Sequence, residues 1–158
     1  MIEKFKVDAR KFLTVLLKEK LDPFRAGVAV FLGIFIGILP IYGFHAVAAV
    51  SLALLFKLNK PLTLAGTFIS NPLLQPLIVF SSVELGCLFY RGSFQSLSLS
   101  DLAAASTHLD KEQFFIWVIG SVALGILVGG LGGAMIALAV HLRRKTSAAS
   151  ALQERVPL

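Results

Sequence analysis

The sequence predicts an all-α membrane protein whose helices are interrupted instead of continuous. Three observations carry this. Mean hydropathy is +0.82 with 15% charged residues, well under the roughly 25% that a soluble domain uses to cover its surface. Runs free of Asp, Glu, Lys and Arg cover residues 26–56, 61–83 and 113–142, each longer than the roughly 20 residues that cross about 30 Å of hydrocarbon as a helix. Proline and glycine stand inside the first two of these runs.

Residues 1–22 come first. Ile2, Phe5, Ala9, Phe12, Leu13 and Leu16 recur at helical spacing, and Lys4, Lys6, Arg10, Lys11 and Lys18 supply the opposite face. The pattern predicts a basic amphipathic helix along the cytoplasmic membrane surface. There Lys4, Lys11 and Lys18 meet anionic head groups, at about 1 kcal/mol per well-placed cation. A pI near 9.8 also invites nucleic acid as partner, but phosphate binding does not require an apolar face in register. No nucleic-acid partner is expected.

The run 26–56 is too long for one straight span. Thirty-one residues would extend about 46 Å and demand a tilt near 50°. Pro40 removes a backbone donor and Gly43 permits a turn, so a broken helical hairpin is expected, with arms 26–39 and 43–56. Residues 61–90 read as a kinked span, interrupted near Asn71-Pro72, and 91–112 as an outer loop. In that loop Ser100 caps a short helix, while Thr107 and Asp110 open the last one. Residues 113–142 read as a span, and the small polar tail 146–158 as disordered.

Charge bias sets the orientation. With 26–56 entering and returning to one side, thirteen of the fifteen Lys and Arg fall inside, and Arg91 and Lys111 alone lie outside. The expected placement is a bacterial inner membrane, multi-pass, with the membrane domain at 23–145 and both termini cytoplasmic. A three-span path is the rival.

Candidate functional residues gather at the interruptions. Pro72 and Pro76 are expected to free carbonyls about one turn upstream, and Thr67, Ser70, Asn71 and Gln75 can satisfy them or line a polar cleft. Pro40, Gly43 and His45 belong to the same cleft by analogy with the broken helices that surround transporter substrates. The competing reading is a kinked, packed helix patched by its own polar groups. His45 reads either as a proton relay or head-group contact, or as a hydrogen-bonded packing residue. Glu84 is a carboxylate inside an apolar stretch; it reads as a functional member of the same cleft, or as a group that reaches water or pairs with Arg91. Gly33 with Gly37, and Gly125 with Gly129 and Gly133, keep the small-xxx-small spacing of close helix packing and favour a homo-oligomer. A phosphate-binding loop at Gly129 to Gly133 is a poor reading, since no strand precedes it. The single Cys87 excludes an internal disulfide, and His45, His108 and His141 are too dispersed for one metal site. No metal or cofactor is expected.

GIFIGILPIYGFH at 33–45, KLNKP at 57–61 and GTFISNP at 66–72, followed by Leu85-Gly86, together resemble the bacterial membrane family DUF2062. The resemblance covers about 23–142. The chain departs from the family at His45, where Gln is frequent, and at Leu73 and Leu74, where a Thr often follows Asn-Pro. The resemblance implies an uncharacterised membrane protein. Some relatives are fused to glycosyltransferase-like domains, which implies work on envelope lipid or polysaccharide. The expected function is a small transport or lipid-handling module of the cell envelope, with membrane lipids as partners. The alternative is a non-catalytic scaffold. An enzyme is not expected, because no acid/base pair or activated nucleophile assembles at usable spacing.

Overall fold

The computed structural model describes residues 22–41, 43–93 and 111–153, the last seven as backbone only. Every regular element among them is helical. The N-terminal amphipathic stretch with Lys4, Lys11 and Lys18, the loop caps at Ser100 and Thr107, and His108 lie outside the described residues.

Helix α1 spans Pro23–Ile38. Asp22 caps it by accepting from the Arg25 amide at 3.2 Å, and Pro23 occupies the first turn, where its missing N–H costs nothing. The helix therefore starts three residues ahead of the apolar run. Leu39 turns extended before Pro40, as the pre-proline clash demands. Helix α2, His45–Leu55, follows. The expected single span over 61–90 is instead two helices, α3 at Lys60–Gly66 and α4 at Gln75–Arg91, joined by a 3-10 turn at Thr67–Ile69 and an irregular stretch. Pro76 does not kink a helix; it stands in the first turn of α4.

Helix α5 runs unbroken over Lys111–Gln153, past the boundary at 145 where the tail was expected to lose order. Its extension contains Ala148, Ala149, Ala151, Leu152 and Gln153, all strong helix formers, and no Gly or Pro stops it.

Helix α5 is the spine of the molecule. Helix α1 runs antiparallel to it, with Gly27 on Gly133, Phe31 on Gly129 and Phe35 on Gly125. Helix α4 packs on the other half, with Ser82 on Gly120 and Gly86 on Ile116. Helix α3 lies parallel to α1, so closely that a Cβ at Gly33 would overlap the Thr63 carbonyl and stand 2.8 Å from Gly66 Cα. The buried cluster of Ala26, Ala29, Val30 and Leu62, with Ile34 and Ile136 against it, joins α1, α3 and α5. Small residues bring backbones together here, so the attraction is mainly dispersion over large contact.

The outward faces are apolar, including Leu54, Leu55 and Phe56 on α2 and Leu127, Leu131, Met135 and Leu138 on α5. Among the described residues one helix, Lys111–Thr146, is long and apolar enough to cross a membrane. Helices α1 and α4 are shorter, at 16 and 17 residues.

Candidate functional site

Two interruptions of the chain come together. At the first, Leu39, Pro40 and Ile41 leave the helix, and Gly43 reaches φ +82, a left-handed conformation that favours glycine. The Ile41 amide donates to Leu39 O at 2.7 Å, and the Phe44 amide to Ile41 O at 3.1 Å. His45 completes the break: its Nε2 lies 2.9 Å from Leu39 O, and because a carbonyl only accepts, that nitrogen carries the proton. The half-buried imidazole thus adds a second donor, beside the Ile41 amide, to a carbonyl at the end of α1 that has no helical partner.

The second interruption is built from side chains that hold their own backbone. Asn59 caps α3 by accepting from the Leu62 amide at 3.0 Å, and Thr63 Oγ1 donates to Asn59 O. Thr67 Oγ1 donates to Leu64 O at 2.6 Å where α3 tightens into the 3-10 turn. Asn71 Oδ1 accepts from the Leu73 amide at 3.2 Å, while Asn71 O accepts from the amides of Leu74 and Gln75. This Asx turn with Pro72 bends the chain into α4. Ser70 Oγ donates to Gln75 Oε1 at 3.2 Å across the bend.

Gly37 joins the two. A Cβ there would lie 3.0 Å from Ile69 Cγ2 and 3.3 Å from Thr67 Cα, so the last turn of α1 rests directly on the 3-10 turn. Both interruptions therefore sit side by side, with His45, Thr67, Ser70 and Gln75 half-buried and Asn71 and Pro72 exposed. Their position along α5 follows from the flanking contacts. Phe35 meets Gly125 before the first break, and Ser82 meets Gly120 after the second. Gly120 and Gly125 are about 10 and 18 Å inside the charge-free length of α5, at 1.5 Å per residue.

Glu84 is not part of this group. It lies about 13 Å further along α4 from Gln75, and among the described residues Arg91 pairs with Glu112, at 2.8 Å, rather than with Glu84. That contact, an exposed one, holds the Arg91 guanidinium above its ordinary value chiefly through the Glu112 hydrogen bond.

The glycines named from the sequence all have helix partners. Gly33 and Gly37 serve α3 and the 3-10 turn, whereas Gly125, Gly129 and Gly133 serve α1. Sequence reasoning missed Gly86 and Gly120, which bring α4 onto α5; the small-xxx-small pair Ser82 and Gly86 was the available signal. It also missed an apolar groove of about 210 Å³ between α1 and α5, lined by Phe24, Gly27, Phe31, Gly130 and Ala134 among others.

Residues 9–149 match the family described as an uncharacterized protein conserved in bacteria, DUF2062. The chain belongs to the DUF2062 family. No curated protein and no solved structure matches it. In this DUF2062 member the three segments that carry the resemblance, 33–45, 57–61 and 66–72, are the two interruptions and the turn between α2 and α3. The Lys57 residue of that turn has φ 53, and Asn59 caps the helix that follows.

Proposed function

We propose that this DUF2062 protein is a multi-pass protein of the bacterial inner membrane, with α1 and α2 as a re-entrant hairpin, both termini cytoplasmic, working as a small lipid-handling or transport module. The observation that carries the reading is the contact of Gly37 with Thr67 and Ile69, which puts two polar chain breaks together beside the apolar middle of α5. Irregular backbone at membrane depth is tolerated where it is buried in protein or faces a polar path.

Interface markers support the placement. Phe89, Tyr90, Phe114 and Phe115 are exposed at one end, with Trp117 edge-on to Phe114, and Arg143, Arg144 and Lys145 are exposed at the other. Phe114 and Arg143 are about 43 Å apart along α5, against 40–45 Å for a bilayer with its head groups. The breaks then lie in the outer half of the lipid layer. The reading is non-catalytic. It assigns Asn71, Ser70, Gln75 and His45 to contact with a polar head group at the breaks, and the apolar outward faces to lipid or a second copy of the chain.

One observation favours the scaffold reading instead: His45, Thr67 and Asn71 all hydrogen-bond local backbone, so part of their capacity serves the fold. Reconstitution separates the two. The full chain in phosphatidylethanolamine and phosphatidylglycerol vesicles should accelerate bilayer crossing of a headgroup-labelled phospholipid. The Asn71→Ala and Ser70→Ala/Gln75→Ala variants should slow it several-fold at equal incorporation and helicity. Equal rates for both variants and wild type would remove the transport reading and leave the scaffold.

A further inference from the structure

A second feature, independent of the breaks, lies on the cytoplasmic half of the molecule. Helices α1 and α5 touch through backbone, since a Cβ at Gly27 would stand 2.8 Å from Gly133 O and 2.9 Å from Ala137 Cβ. Beside this contact the chain leaves an open apolar groove of about 210 Å³, walled by Phe24, Val28 and Phe31 and floored by Gly130, Gly133 and Ala134. A Cβ at Gly130 would meet nothing within 4 Å.

We infer that this groove seats one acyl chain of an anionic phospholipid of the cytoplasmic leaflet, with the phosphate held by Arg25, Arg144 and Lys145. Shape decides against a helix as occupant. An α-helix with its side chains is 10–12 Å across, whereas this groove is only the space that absent side chains leave between two touching helices. An apolar cavity of about 150 Å³ already accepts a benzene ring, so a run of methylenes fits. An acyl chain of the leaflet already lies in hydrocarbon, so the groove holds it by close contact with its walls and not by removal from water.

Charge decides the head group. Gly130, Ala134, Ala137, His141 and Arg144 follow one another at steps of four and three residues, so the groove floor continues along a single face of α5 into His141 and Arg144, with Lys145 one turn beyond His141. Arg25 stands next to Phe24 at the matching end of α1. Among the described residues Asp22 is the carboxylate at this end, and its side chain is engaged as the α1 cap. The groove thus leads from an apolar floor to a predominantly cationic mouth, the complement of an anionic head group on an alkyl chain.

The test uses the full chain, purified in neutral detergent and stripped of lipid. Its thermal unfolding is followed while phosphatidylglycerol or phosphatidylcholine with identical acyl chains is added. Phosphatidylglycerol should raise Tm and phosphatidylcholine should do so at much higher concentration. The Gly130→Leu and Ala134→Leu variants fill the groove from its open side; they should keep or raise the lipid-free Tm and lose the phosphatidylglycerol response. Arg144→Gln/Lys145→Gln should bind phosphatidylglycerol about tenfold or more weakly, since each surface cation contributes on the order of fivefold. An undiminished response in the groove variants, or an unchanged preference in the charge variant, overturns the assignment. So does a dimer in native mass spectrometry that Gly130→Leu converts to monomer with lipid response intact, because the occupant is then a second copy.

Discussion

Gly120 of α5 lies flush against the Ser82 carbonyl of α4, and a Cβ on Gly120 would overlap that oxygen and stand 2.6 Å from the Gly86 amide nitrogen. The obstacle on both sides is main chain, which cannot rotate away as a side-chain tip can. Gly120→Ala should therefore destabilise the protein by about 1–3 kcal/mol through overpacking, despite the gain in helix propensity. Gly86→Ala should do the same against Ile116 O. Reversible unfolding in mixed micelles checks both, and a stability equal to wild type would contradict the contact.

Ser82 offers the opposite sign at the same crossing. Its side chain is fully buried and Oγ has no hydrogen-bond partner. An unmet buried hydroxyl is unfavourable, so Ser82→Ala should leave stability unchanged or raise it by about 1 kcal/mol while the helices stay in contact. One substitution removes a hydroxyl and the other adds a methyl group at the same crossing, and their effects should point in opposite directions.

His45 should matter as a donor. Removing it takes one of two donors from Leu39 O, the Ile41 amide remaining, so His45→Phe should cost about 1 kcal/mol. His45→Gln keeps a side-chain N–H of similar reach and should retain most of the stability. Thermal unfolding of the two variants separates the hydrogen bond from the bulk of the ring. Equal loss in both would show that the ring's packing carries the effect.

The local parts of this site were legible in the sequence and the long-range parts were not. Pro40, Gly43 and Asn71-Pro72 act through their own backbone restrictions, so the breaks could be placed from residue chemistry alone. That the breaks touch depends on Gly37 meeting Thr67 across 30 positions of chain. Glycine marks a close approach without naming its partner, so Gly33 and Gly37 read as helix packing without showing that they serve α3 and the 3-10 turn. Glu84 was grouped with the breaks because a lone carboxylate in an apolar run draws attention, yet its helix carries it away from them. The last helix extends past the expected boundary because the small tail residues include Ala148, Ala149 and Ala151, which favour helix despite lacking periodicity.

Helix α3 has only seven residues, and isolated helices of that length are marginal. Its cap should matter accordingly. Asn59→Ala removes the acceptor for the Leu62 amide and should cost about 1 kcal/mol, whereas Asn59→Asp keeps that acceptor and should retain most of the stability. Because Gly33 rests on Thr63 and Gly66, fraying of α3 should also loosen α1. Hydrogen exchange should show faster amides in both helices for the Asn59→Ala variant, and exchange confined to α3 would mean that α1 is held by α5 alone.

The re-entrant path makes a prediction that the three-span path reverses. Helix α2 returns from the first break towards Lys57, and α3 leaves again parallel to α1, so Lys57 belongs to the same end of the molecule as Arg25 and Arg143. On the three-span path the run 26–56 crosses completely, so Arg25 and Lys57 face opposite sides while Lys57 and Arg143 share one. With Cys87 replaced by Ala, single cysteines at Arg25, Lys57, Arg143 and Gly92 can be probed in intact cells with a membrane-impermeant maleimide. Arg25→Cys, Lys57→Cys and Arg143→Cys should all be protected until the cells are opened, while Gly92→Cys, beyond α4 at the aromatic end, should label from outside. A cysteine at Asn71 should react slowly from either side, because the second break lies about 10–18 Å inside the charge-free length of α5. Labelling of Arg25→Cys and Lys57→Cys from opposite sides of the membrane would replace the hairpin with a full crossing.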